Sequence, residues 1–233
     1  MIIFVDEKDG KAQASHQEFR RLSNQVLPTI LSELQIEAEA SECEISVAYE
    51  FAGILPKTRV LIIDGPDFER PVLPGCGSYL YSAFRLGVKS RRFVELSPRT
   101  TGLRQVLHDN WEALPTISAV RLADFILTME DVTTTGHEVL TSLADLEKQS
   151  RKNDGFVLTR RAKQLATQNN VATTVSCADG ILRLNALTLY GWQHETQDLG
   201  ITEIAVSEEG AVTIGERETL CDPTFSEIPR IRY

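Results

Sequence analysis

Basic residues are in deficit in this chain. Its 24 lysines and arginines stand against 33 aspartates and glutamates, a net charge of −9 at pH 7. General nucleic-acid binding needs a basic footprint, so that class is excluded. An anionic small molecule held by a local basic pocket, or through a metal, is not. Long apolar runs are missing too: none approaches the ~20 residues that cross a bilayer as a helix. The opening "MIIFV" runs straight into "DEKDGK", without the basic start and long apolar core of a signal peptide. The expectation is no membrane association and a cytoplasmic location. Cysteine is sparse. Cys43, Cys76, Cys177 and Cys221 form no CxxC pair, and none stands at zinc-ligand spacing from a histidine. A disulfide framework is not expected in a chain of this size and compartment, which leaves buried or incidental thiols. There is no low-complexity tract, internal repeat or evident linker.

What is present is an ordinary globular composition, 42% hydrophobic and 24% charged, over 233 residues. That length supports one well-buried core, or a core with a small lobe. A short strand opens the chain, and residues 15–39 read as a helix that Pro28 interrupts. "EISVAY" (44–49) alternates as a half-buried strand does, and "TRVLII" (58–63) suits a strand covered on both faces. "SYLYSAFRLGV" (78–88) reads as a helix ended by Gly87, and "RRFVEL" (91–96) as a strand. Residues 97–119 have no clean period and read as a long loop, of the kind that forms lids. "ADFILTM" (123–129) reads as a buried strand. "HEVLTSLADLEKQ" (137–149) reads as a helix with Val139, Leu140, Leu143 and Leu146 on one side. "DGFVLTRR" and "VATTVSC" give strands either side of a short helix, and 201–215 reads as a hairpin turning at "EEG". Strands alternating with helices from 44 to about 177 predict βαβ units and a parallel sheet, with ligands at the strands' carboxyl ends.

The stretch "FILTMEDVTTTGHEVL" (125–140) carries the chemistry. With "FILT" as strand and "HEVL" as the start of a helix, the loop between them sits at a helix N-terminus. Free backbone N–H groups and the positive dipole end make an anion site there. Threonine hydroxyls add donors, and Gly136 permits close backbone approach. Such a loop suits a phosphate. Glu130 and Asp131 would repel that phosphate but suit the vicinal hydroxyls of a ribose, so the stretch implies a ribose bearing a 5′-phosphate.

These residues resemble the phosphoribosyl-diphosphate (PRPP) motif of type I phosphoribosyltransferases, closest in pattern to orotate-type members. The apolar run is Ile126-Leu127-Thr128-Met129, the acids are Glu130-Asp131, and Val132-Thr133-Thr134-Thr135-Gly136 completes it. His137 stands where the family has a small residue. "VLIIDGPDFERPV" resembles the family's pyrophosphate loop through Asp64, Gly65 and Pro66, with Arg70 at the place of a glycine. Residues 97–119 fall where the family has its flexible catalytic loop, here without lysine but with Arg99, Arg104 and His108. Arg160 falls on the arginine that contacts the acceptor's carboxylate in orotate-type members. Tyr190, Trp192 and His194 form an aromatic group in "LTLYGWQHET", which could stack on a base or pack a lobe.

The resemblance implies a single domain: a Rossmann-like α/β core of parallel strands flanked by helices over about 44–180, with 1–40 and 181–233 as a small hood. It implies transfer of the 5-phosphoribosyl group from PRPP to a nucleobase-like nitrogen, with loss of pyrophosphate. Glu130 and Asp131 would bind the ribose hydroxyls and Asp131 would stabilise the developing cation. Thr133, Thr134, Thr135 and Gly136 would hold the 5′-phosphate, with Val132 as part of the same PRPP-binding stretch. Mg2+ would be held mainly through PRPP, and the family implies a homodimer. The lysine-free loop, Arg70 and His137 suit a second expectation, a catalytically inactive PRPP-binding regulatory or interaction protein.

Overall fold

The computed structural model describes residues 27–29, 31, 32, 39–47, 51, 53–64, 79–85, 93–96, 101–130, 137–145, 156–158, 160, 164, 171–190, 198–221 and 224–226. The chain divides into two compact units, Met1–Val106 and Leu107–Tyr233.

The first unit contains an antiparallel four-stranded sheet. β1 (Glu44–Val47), β2 (Thr58–Asp64), β3 (Tyr79–Arg85) and β4 (Phe93–Glu95) pair in chain order. The β-branched run in β2 pairs on both sides, Glu44 opposite Asp64 and Thr58 opposite Arg85. Residues 27–29 and 31–32 are helical, with Leu27 and Leu31 buried. Phe51, Ile54 and Leu55 are buried in the β1–β2 connection. The helix expected over 78–88 is instead β3, for which the β-branch-free but aromatic "YLYSAF" is suited.

Two helical segments follow in the stretch expected to be a loop: α1 (Gly102–Asp109) and a 3-10 turn, Trp111–Thr116, which carries Pro115. The boundary between the units falls within α1. Next comes α2 (Ala119–Glu130), whose first turn closes when Ser118 C=O accepts the Leu122 amide at 2.9 Å.

The second unit is built on an open antiparallel sheet. Its strands are β5 (His137–Leu140), β7 (Thr174–Ala178), β8 (Ile181–Tyr190), β9 (Asp198–Ser207), β10 (Val212–Ile214) and β11 (Glu218–Cys221). A separate ribbon joins β6 (Phe156–Leu158) to β12 (Thr224–Ser226). β8 and β9 pair along their whole length, Ile181 opposite Ser207 and Tyr190 opposite Asp198. β7 covers the first half of one edge of β8 and β5 the second half. On the far side, β10 and β11 do the same for β9. β7 turns into β8 through Asp179 and Gly180, φ 51° and 71°. That is the left-handed pair a type I′ hairpin demands.

Both faces of this sheet are used. Leu182, Leu184, Ala186, Thr188 and Tyr190 lie on one face of β8 and are all buried. α2 packs against β5, β7 and β8, burying Leu122, Phe125, Ile126 and Met129. On the opposite face Leu140, Leu143, Leu187, Leu189 and Leu199 form a second cluster with Val171, Ile201 and Leu220 against it. Where β8 changes neighbours, the Thr173 hydroxyl stands in for a ladder partner. It donates to Leu140 C=O at 2.6 Å and accepts the Leu187 amide at 3.0 Å.

The fold therefore corrects the expected class. Every strand pairing among the described residues is antiparallel, so the core is not a parallel, Rossmann-like sheet flanked by helices. Within the span expected to be a hood, Ile181–Tyr190 and Asp198–Ser207 are the two longest strands among the described residues and belong to the sheet. The two elements around the threonine loop are exchanged: 123–129 belongs to a helix, and the chain from His137 begins a strand. A continuous apolar run fits a buried helix as well as a buried strand. Here α2 keeps Arg121, Asp124 and Thr128 on one side, none of them buried, and buries Leu122, Phe125, Ile126 and Met129. Val139 and Leu140 look like one helical stripe but point to opposite faces of β5, both covered.

Candidate functional site

The exchange of elements bears directly on the expected phosphate cradle. Residues Asp131, Val132, Thr133, Thr134, Thr135 and Gly136 lie outside the described residues, as do Gly65, Pro66 and Arg70. Their flanks are described. Glu130 is the last residue of α2 and His137 the first of β5. The segment thus leaves a helix C-terminus, where the dipole is negative, and does not enter a helix N-terminus. The half-buried Glu130 carboxyl is raised above its ordinary value of 4.5 by burial. Asp64 closes β2 in the first unit. Arg160 is exposed. Arg104 is exposed on α1, and His108 Nδ1 donates to Glu208 C=O at 2.8 Å, which ties it to the β9–β10 turn. Arg99, Trp192 and His194 lie outside the described residues.

The sheet brings together a different set of polar side chains, at the end where β8 finishes. His137 is opposite Tyr190, Val139 opposite Thr188, and Thr188 opposite Gly200, so these residues share one face. The rings of His137 and Tyr190 are 6.0 Å apart between centroids, tilted by 44°. Arg217, just before β11, lays its guanidinium 4.3 Å from the Tyr190 ring centroid, a cation–π arrangement. Its Nε donates to Thr188 Oγ1 at 3.2 Å and its terminal nitrogen to Thr188 C=O at 3.3 Å. The Thr188 hydroxyl donates to Gly200 C=O at 3.3 Å and lies 3.4 Å from the buried Thr202 hydroxyl.

Gly200 makes room for this. A Cβ there would stand 2.6 Å from the Arg217 guanidinium carbon and 2.7 Å from Glu218 C=O. No real side chain tolerates such distances, so glycine at 200 is what lets the arginine lie across the sheet. From the helix side, Asp124 Oδ1 comes within 3.3 Å of His137 Nε2. The two are close enough to attract when charged. They are not aligned as a hydrogen bond, and Nε2 is buried with no hydrogen-bond partner.

The arrangement is a half-buried cation seated on an aromatic ring, with an imidazole beside the ring and a carboxylate beside the imidazole, at the start of β5. It can attract an anion and donate hydrogen bonds. Among the described residues no group of three or more His, Cys, Asp or Glu converges to hold a metal ion. Of this set, the sequence drew attention only to Tyr190, as an aromatic, and to His137, as an oddity. Alternation in "ILRLNALTLY" and the "DG" before it were the available signals for the strand that organises the rest. Arg217 and Asp124 carry no local signal, because only the register of β8, β9 and β11 and the packing of α2 bring them in.

No protein-family model, curated protein or solved structure matches this chain.

Proposed function

We propose that the second unit binds a phosphorylated small molecule of the phosphoribosyl type, at the end of the sheet where residues 131–136 rejoin it at His137. The observation that supports this is Arg217, held against Tyr190 and Thr188 by the absence of a side chain at Gly200. A guanidinium fixed in this way loses little freedom when it meets a phosphate. With no helix dipole to attract the anion, Arg217 has to outweigh the negative end of α2 and the chain's overall charge of −9. The three threonines of 133–135 supply hydroxyl donors in the same segment. PRPP and ribose 5-phosphate are the first ligands to try, because "EDVTTTG", the motif that implies a ribose phosphate, lies in this unit.

A second reading, transfer of the phosphoribosyl group to a nucleobase-like acceptor, is favoured by the Glu130–Asp131 pair within that motif. In it Mg2+ enters with the pyrophosphate of PRPP, and Arg160, in the same unit as the acid pair, keeps the role the resemblance implies.

Calorimetric titration with PRPP, ribose 5-phosphate and pyrophosphate, with and without Mg2+, tests the first reading. Binding of the sugar phosphate is expected, weakened about tenfold or more in Arg217→Met, since a lost charge-assisted contact is worth at least ~1.4 kcal/mol. No heat with any of the three overturns it. Pyrophosphate release that depends on an acceptor and disappears in Asp131→Asn would establish the transferase.

A further inference from the structure

The sheet of the second unit has one edge without the usual protection. Among the described residues β7 has a single strand partner, β8, and its outer side pairs with no strand. Thr174, Ser176, Cys177 and Ala178 are exposed and Val175 is half-buried. An open strand edge is a template for another strand, and proteins block it with charge, proline or a very short strand. The other edges of this sheet are blocked in these ways. β5 carries the exposed Glu138, β10 is only 3 residues long, and β11 begins at the exposed Glu218. β7 reads "TVSCA", with neither charge nor proline.

Hairpin geometry decides which backbone groups of β7 face outward. Ala178 and Ile181 flank the turn at Asp179 and Gly180, so they are a hydrogen-bonded pair. Bonding alternates along an antiparallel pair. Thr174, Ser176 and Ala178 therefore direct their backbone groups to β8, and Val175 and Cys177 direct theirs away from it. The open stretch is bounded at both ends. Before it, the Thr173 amide donates to Thr141 C=O at 3.0 Å. After it, the chain turns away at Asp179, φ 51°. What is left, Thr174–Ala178, is symmetrical about Ser176.

We propose that β7 is the docking edge for a second copy of this chain, the two strands pairing antiparallel about a two-fold axis at Ser176. Val175 of one copy then stands opposite Cys177 of the other, and these residues exchange the backbone bonds that β8 does not use. Ser176 faces Ser176 and Thr174 faces Ala178, so only small side chains meet on that face. Charge argues for the same occupant. Two copies at −9 each repel, so a contact between them has to be free of acids, as this edge is. Arg183, opposite Ser176 on β8, is engaged by Glu203 of β9 at 3.4 Å. A strand of another protein would find no charged side chain on β7 to select it, whereas a second copy matches the open stretch residue for residue. The contact lies at the turn end of β8, opposite the end that carries Tyr190, and forms whether or not a ligand binds.

A strand pair this short makes a small interface and a weak dimer. Sedimentation equilibrium of the full chain, up to about 1 mM, is expected to show monomer and dimer in exchange. Cys177→Lys sets a charge on each side of the axis at an exposed position. It is expected to leave monomer alone, with an unchanged far-UV spectrum and Tm. Cys177→Pro, which removes an amide that β8 does not use, replaces it if the lysine variant does not fold. A disulfide trap tests the register. Ser176→Cys in a Cys177→Ser background sets two thiols across the axis, with Cα atoms about 4.5 Å apart and within disulfide reach. Mild oxidation is expected to give a covalent dimer that Cys177→Ser alone does not. A cross-link without a measurable dimer supports the same pairing at lower affinity. Absence of the cross-link overturns the proposal. So does a dimer that survives Cys177→Lys, since its contact lies elsewhere.

Discussion

Glu130 shows what a single carboxyl can report about this fold. Burial at the end of α2 disfavours its ionised form. A carboxyl raised in this way binds its proton more readily folded than unfolded. Stability is therefore highest while it is protonated, and falls as pH rises from its ordinary 4.5 through the raised folded value. Glu130→Gln removes that penalty. The variant is expected to melt above wild type at neutral pH, and the two curves are expected to converge once pH falls below the ordinary carboxylate range. Thermal melts across that span check it, and a constant offset would show that desolvation is not the cause. The same residue marks a limit of reading by sequence. "MEDVTTTG" presents its acids and hydroxyls in an order that suits a ribose phosphate, yet side-chain chemistry is silent on which flank is the helix. That depends on what covers Phe125 and Ile126, and two of the strands packed on α2, β7 and β8, lie roughly 50–60 residues further on.

At the scale of elements, what was legible had turn chemistry, strict alternation or a β-branched apolar run behind it. β1, β2 and the β9–β10 hairpin were read in place. β3, α2 and β5 were read as the wrong type, because short apolar runs satisfy helical and extended spacing alike until a partner selects between them. β8 was passed over although its burial alternates cleanly over its first half. The β9–β11 pairing depends on a glycine for a reason invisible in the sequence. At Gly200→Ala the new Cβ would overlap Arg217 and the Glu218 carbonyl, and the backbone carbonyl cannot step aside without disturbing β11. The substitution is expected to cost about 1–3 kcal/mol, read from chemical denaturation, and to displace Arg217 from Tyr190. An unchanged midpoint would mean that β11 is free to shift.

For the molecule as a whole, composition correctly indicated enough chain for buried cores, with Leu27 in one unit and Leu114, Phe125 and Leu184 in the other fully enclosed. The organisation into two contact units was not legible, since no linker-like composition marks the boundary near Val106. Two compact units predict departure from a single cooperative transition. Scanning calorimetry is expected to show two components. Phe125→Ala, which empties a fully buried aromatic site at a cost of about 3–5 kcal/mol, is expected to move one component and leave the other. Both moving together would make the chain one cooperative body. The seam on β8 has a consequence of its own. The chain leaves the sheet at Leu143 and comes back at Val171, where the Leu143 amide donates to Val171 C=O at 3.3 Å and the Thr173 amide to Thr141 C=O at 3.0 Å. Departure and return are thus pinned side by side by backbone bonds that do not care how much chain lies between them. In general a loop closed at its ends costs only about 0.6 kcal/mol more in entropy for each doubling of its length.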